Sequence, residues 1–211
     1  MTTIIPGISA KGVRELERDV SLVLPYADCI HINLNDDMLA SSNGVGMFTF
    51  VKKPGQTQFE AHCQTQKPEL YVKNLSSLGF TRIIAPVECN DPREFLSEAR
   101  VFDSEIGLSI DVETPLEEIE PYLEELDFVL IMTAGASGLG QPFEESTLAK
   151  IKAIHRNLPD FPIEVEGGIN EESIKLVTEA GATNIVATSY IFKDEQNIGS
   201  SIEQLQSITA H

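Results

Sequence analysis

Eight short apolar runs recur along the chain, and an amphipathic stretch follows most of them. The runs are TIIPGIS (3–9), CIHINL (29–34), QFEAHC (58–63), RIIAPV (82–87), IGLSI (106–110), DFVLIM (127–132), PIEVEG (162–167) and NIVATS (184–189). Their Ile and Val content and their length read as buried strands. Helix-like stretches occupy 13–24, 68–79, 91–102, 114–126, 143–158, 170–181 and 198–210. Several carry end signals: Asp91 as cap with Pro92 at the first position, Thr114 and Pro115, Pro68 with Gly79, and Asn170 with Gly181. Val13, Leu16, Val20 and Leu24 share a helical face, as do Leu148, Ile151 and Ile154. Eight strands alternating with helices predict a (β/α)₈ TIM barrel spanning 1–211 as one domain. Segment 35–57 reads as loop with one short helix. The competing doubly wound sheet would carry G-x-G-x-x-G after its first strand, and none is present.

A chain of 211 residues with 42% apolar content can bury a full core. Its formal net charge of −18 opposes nucleic acid and anionic membrane as partners. It leaves room for a small phosphorylated ligand, because backbone N–H groups bind phosphate without a cationic side chain. No apolar run approaches the roughly 20 residues that cross a bilayer. The N-terminus lacks the pattern of a secretory signal, so the cytoplasm is the expected compartment. Cys29, Cys63 and Cys89 are odd in number and form no C-x-x-C, so each reads as a small buried hydrophobe.

In such a barrel, chemistry sits at the C-terminal strand ends. Alternation places His31, Asn33 and Asn35 on one side of the second strand, and His62 with Gln64 on one side of the third. The sixth run ends in Met132 before a glycine-rich AGASGLGQPF, 134–143. The seventh ends in Glu166, and the eighth in Thr188 and Ser189. Two imidazoles and a carboxylate, His31, His62 and Glu166, suit a divalent metal. Gly138, Leu139, Gly140 and Gln141 in one loop, and Gly167 with Gly168 in another, look like phosphate grips. Glycine lets backbone N–H groups approach an anion, and each segment runs into a helix N-terminus.

These motifs together resemble the ribulose-phosphate 3-epimerases over nearly the whole chain. PLEEIEPYLEELDFVLIMTAGASGLGQPF resembles that family's strand-six segment, and IEVEGGINEESIKLVTEAGATNIVATSYIF its strand-seven and strand-eight signatures. CIHINLNDD and FEAHCQTQKPELYV lie where the family has its two histidine motifs. The resemblance implies a ribulose-phosphate-binding type of barrel that inverts C3 of ribulose 5-phosphate. Two aspartates act as acid and base, and a divalent metal (zinc, iron or manganese) sits on two histidines and those aspartates. Carried over by position, the metal ligands are His31, His62 and Glu166. The phosphate residues are Gly138, Leu139, Gly140, Gly168, Thr188 and Ser189. No organic cofactor is implied, and a homo-oligomer is.

The departures cluster at substrate-facing positions. Asn33 stands in place of the strand-two aspartate, and Glu166 in place of the strand-seven one. Asn35 and Gln64 replace methionines, Gly7 an early serine, and Gly135–Ala136 a glutamate–proline pair. An amide takes no proton at neutral pH, so two-base inversion cannot run through Asn33. Asp36 is the nearby acid that could stand in for it. Three functions remain in view. One is proton transfer next to a carbonyl with Glu166 as base. Another is sugar-phosphate binding without turnover. The third is aldolase or decarboxylase chemistry, which is weakened because no run contains a lysine for a Schiff base.

Overall fold

All eight apolar runs form strands: β1 (Thr3–Ile8), β2 (Cys29–Asn35), β3 (Gln58–Gln64), β4 (Arg82–Pro86), β5 (Glu105–Ile110), β6 (Phe128–Met132), β7 (Ile163–Glu166) and β8 (Asn184–Ala187). They pair in parallel in sequence order, and β8 closes onto β1 to complete a barrel. The structure, a computed structural model, describes residues 2–41, 57–135 and 140–209. Seven α-helices surround the barrel: α1 (Val13–Val23), α2 (Asp36–Ser41), α3 (Glu69–Leu78), α4 (Pro92–Ala99), α5 (Leu148–Asn157), α6 (Ser173–Ala180) and α7 (Ile198–Thr209).

Local chemistry explains most boundaries. Asp91 accepts hydrogen bonds from the backbone N–H of Arg93 at 2.9 Å and of Glu94 at 3.3 Å, capping α4. α3 and α6 stop at Gly79 and Gly181, whose φ of 102° and 115° are left-handed. Asn170 Oδ1 accepts from Glu172 and Ser173 N–H, yet regular helix begins only at Ser173. The helix expected over 114–126 does not form; two 3₁₀ segments, Leu116–Glu118 and Glu120–Glu125, take its place. Pro121 explains the difference, because it lacks an N–H and its ring would strike the carbonyl four residues earlier. Part of the 143–158 stretch is likewise a 3₁₀ turn, Glu145–Thr147, before α5.

The main apolar core lies between strands and helices, with Ile30, Ile32, Leu34, Val72, Leu75, Phe95, Ile151 and Val177 in one cluster. The barrel interior is different. Two small apolar clusters lie apart from that core: Ile5, Cys29 and Val186, and Ile84, Phe128 and Leu130. Gly107 makes the space for Phe128, since a Cβ there would lie 2.7 Å from its ring. Charged residues are buried alongside these clusters: His31, Glu60, Arg82 and Glu164 are 0–5% exposed. An interior of this kind holds only if every charge is paired.

Candidate active site

The register of β2 and β3 sets Asn33 beside His62 and His31 beside Glu60. Alternation then points His31 and Asn33 inward from one strand and Glu60 and His62 inward from the next. β7 contributes Glu164 and Glu166 by the same rule. Arg82, at the start of β4, lies beneath them.

Arg82 Nη1 pairs closely with Glu60 and stands 3.1 Å from Glu164 Oε2, while its Nε donates to Glu105 at 3.0 Å. Its guanidinium also sits 3.8 Å from the centre of the Phe128 ring. Glu60 Oε1 in turn lies 2.7 Å from His31 Nδ1. Burial pushes the Glu60 carboxyl up to about 7, with the Glu164 charge adding to it and His31 and Arg82 pulling it back. Burial alone would lower His31, but the carboxylates of Glu166, Glu164 and Glu60 outweigh it and hold the imidazole well above its ordinary value. His62 goes the other way, with burial lowering it.

Above this network, Asn33 organises the mouth. Its Nδ2 donates to Glu166 Oε1 at 2.6 Å and to Ser9 Oγ at 3.1 Å. Its Oδ1 accepts from Gln64 Nε2 at 2.9 Å and lies 3.0 Å from His62 Nδ1. His62 Nε2 reaches Ser109 Oγ at 2.9 Å. The second oxygen of Glu166, Oε2, is buried and accepts no hydrogen bond. His31 Nε2 stands 3.3 Å from it and His62 Nδ1 3.6 Å. Burial by itself would raise Glu166, but the two histidines reverse that and hold it well below the usual carboxylate range.

A metal would fit here. The donor atoms of His31, His62 and Glu166 lie within 4.8 Å of one another, and Glu166 Oε2 is an orphaned buried acceptor between two imidazole nitrogens. The other nitrogen of His31 is oriented by Glu60, as a ligating histidine requires.

A cavity of about 510 Å³ opens over Glu166. Of the sequence-predicted residues it gathers Asn33, Met132, Gly140, Gln141, Gly167, Gly168, Thr188 and Ser189. Gly138 and Leu139 lie outside the described residues. Gly140, Gly167 and Gly168 have φ of 78°, 120° and 65°. A Cβ on Gly168 would lie 2.5 Å from the backbone nitrogen of Phe143, so this glycine is required by packing as well as by conformation. β8 ends before Thr188, which places Thr188 and Ser189 in the loop rather than on the strand.

Asp36 is not brought to Glu166. It is exposed, opens α2, and lines an adjoining cavity with His62, Gln64, Glu88 and Asp111. Asn35 Oδ1 accepts from the Met38 N–H at 3.0 Å and helps start that helix. Sequence reasoning missed Ser9, Lys11 and the Glu60–Arg82–Glu164 group. Parity with His62 and Glu166 would have pointed Glu60 and Glu164 inward, but Ser9 and Lys11 lie past the end of β1. The three cysteines are buried and free, and burial pushes Cys63 up to about 12 and Cys89 to about 11, so neither is a nucleophile.

Solved structures place this architecture among TIM-barrel enzymes. A 3-hexulose-6-phosphate synthase covers 99% of this chain and 100% of its own, with a TM-score of 0.77 at 18% identity. KGPDC from Streptococcus mutans, solved in complex with a pentose phosphate, covers 99% and 97%, with a TM-score of 0.79 at 13% identity. At these identities the likeness is one of fold. The sequence model of the "Ribulose-phosphate 3 epimerase family" matches residues 3–192, and the chain belongs to this family. The ribulose-phosphate 3-epimerase of Schizosaccharomyces pombe is 27% identical over 198 residues, 90% of this chain and 86% of that protein. That of Synechocystis is 30% identical over 200 residues, with the same coverage of 90% and 86%.

Proposed function

We propose that this protein binds a phosphorylated pentulose or a related sugar and moves a proton next to its carbonyl through one carboxylate, Glu166. The observation that carries the reading is the 2.6 Å hydrogen bond from Asn33 Nδ2 to Glu166 Oε1. It occupies one carboxylate oxygen with an amide that cannot exchange a proton, and leaves Oε2 as the oxygen available to act. A single base serves transfer between adjacent carbons on one face, the chemistry of a ketose–aldose isomerisation. Inversion of C3 would need a second acid, from Asp36 or water. Glu166 is ionised at neutral pH, but His31 makes it a weak base, which fits an altered or reduced activity.

The other roles follow from position. Gly140, Gln141, Gly167, Gly168, Thr188 and Ser189, with Gly138 and Leu139 of the same loop, take the phosphate. Met132 supplies an apolar contact, and Asn33 orients Glu166. His31, His62 and Glu166 would hold a divalent ion, which when bound would supply Lewis-acid polarisation of the carbonyl.

The test is solvent deuterium uptake by ribulose 5-phosphate, followed by NMR. We expect uptake beside the carbonyl, falling about 10²- to 10⁴-fold in Glu166→Gln with binding retained. Full activity in that variant would remove Glu166 from the mechanism. The same Asn33–Glu166 bond supports a second reading, a barrel that binds sugar phosphates without turnover. Stabilisation of the wild type by ribulose 5-phosphate with no deuterium uptake would select it.

A further inference from the structure

The sequence contains more than twice as many acidic as basic side chains, 33 against 15. Placing a doubly charged phosphate beside the ionised Glu166 in such a protein is electrostatically unfavourable unless a cation offsets it. Among the described residues lining the cavity, one is cationic: Lys11. It follows β1 by three positions and shares the cavity with Gly168, Thr188 and Ser189. Its backbone N–H donates to Glu15 Oε2 at 2.8 Å, which ties the turn to the first turn of α1 while leaving the side chain exposed.

Barrel closure brings this turn to the phosphate side of the mouth. β1 pairs with β8 with Pro6 opposite Ala187, so the segments that leave the two strands are neighbours. Gly7 is packed so closely there that a Cβ would lie 2.4 Å from Thr188 Oγ1. The lysine and the loop after β8 therefore face one cavity from adjacent strands.

We propose that Lys11 is a specificity residue for the phosphate group. It supplies the positive charge that the glycine loops lack, and so selects phosphate esters over free sugars. The proposal rests on the sugar-phosphate reading above. Exposure of Lys11 fits this role better than a Schiff base, which needs a desolvated amine.

The experiment measures binding of ribulose 5-phosphate, inorganic phosphate and unphosphorylated ribulose by calorimetry, to wild type, Lys11→Gln, Lys11→Glu and Lys11→Arg. For the phosphorylated sugar and for phosphate, Lys11→Gln should lose about five- to tenfold, Lys11→Glu more, and Lys11→Arg little. Added salt should weaken binding to the wild type more than to Lys11→Gln. Any affinity for free ribulose should be unchanged across the set. Phosphate affinities equal in wild type and Lys11→Gln would overturn the role of Lys11 and leave the sugar-phosphate reading standing. Equal losses for ribulose and its phosphate would also overturn it. No binding of either phosphate compound to the wild type would sink the sugar-phosphate reading itself, and this proposal with it.

Discussion

Asn33 donates its side-chain amide to Glu166 Oε1 at 2.6 Å, joining β2 to β7 across the barrel mouth. The replacement of one carboxylate by an amide and the retention of the other are thus one feature, because the amide is the donor that the remaining carboxylate uses. In Asn33→Asp the same contact would set two carboxylates against each other. In EDTA the variant should lose about 1–3 kcal/mol of stability. Zinc or manganese should restore its melting temperature by more than it raises that of the wild type. A variant that melts in EDTA like the wild type would show that the contact is not maintained in solution.

Arg82 is the cation on which the buried carboxylates Glu60 and Glu164 depend. Arg82→Met leaves both without it and should cost about 3–5 kcal/mol in urea unfolding. Arg82→Lys keeps the charge but not the fork that also reaches Glu105, and should cost less. Equal losses in the two variants would mean that shape rather than charge matters at this position.

The His31–Glu166 pair sets a pH window. Glu166 is depressed in the folded state, so the unfolded chain binds its proton first. That stability is present above about 4.5 and is lost as pH falls toward the folded value. His31 is raised, so its stability is present below about 6.5 and is lost as pH climbs through its higher folded value. Glu166→Gln should therefore flatten the acid limb and weaken the alkaline one. Urea unfolding followed from about pH 3.5 to 9 reads both limbs. Parallel curves for variant and wild type would rule out a contribution from the pair.

Gly168 has φ of 65° and no room for a Cβ beside Phe143. Gly168→Ala should cost at least about 1–3 kcal/mol and weaken phosphate binding together with stability. Gly140→Ala also has a positive φ but open space around it, and should cost less. Matching melting temperatures for the two variants would contradict the packing argument.

The run of eight strands, the glycine stops of α3 and α6 and the cap of α4 were all legible from local chemistry. So was the gathering of His31, Asn33, His62 and Glu166, because a period of two assigns each side chain to a face once the strand is recognised. The 3₁₀ geometry around Pro121 was legible in principle, since it follows from a missing N–H. Serine as a simple replacement at Gly7 was not excluded by the sequence. The fold excludes it, because Thr188 and Val186 fill the space where its Cβ would stand.

The sequence by itself determined the barrel and which side chains point into it, because both depend on short-range periodicity. Only the tertiary structure decided what those side chains do to one another. Barrel closure joined Asn33 to Glu166 across 133 positions of sequence and threaded Arg82 between Glu60 and Glu164. It also brought Lys11 to the phosphate side and left Asp36 in a separate cavity. Hydrogen bonds and charge pairs act over a few ångströms in space, and spacing along the chain does not fix which groups come that close.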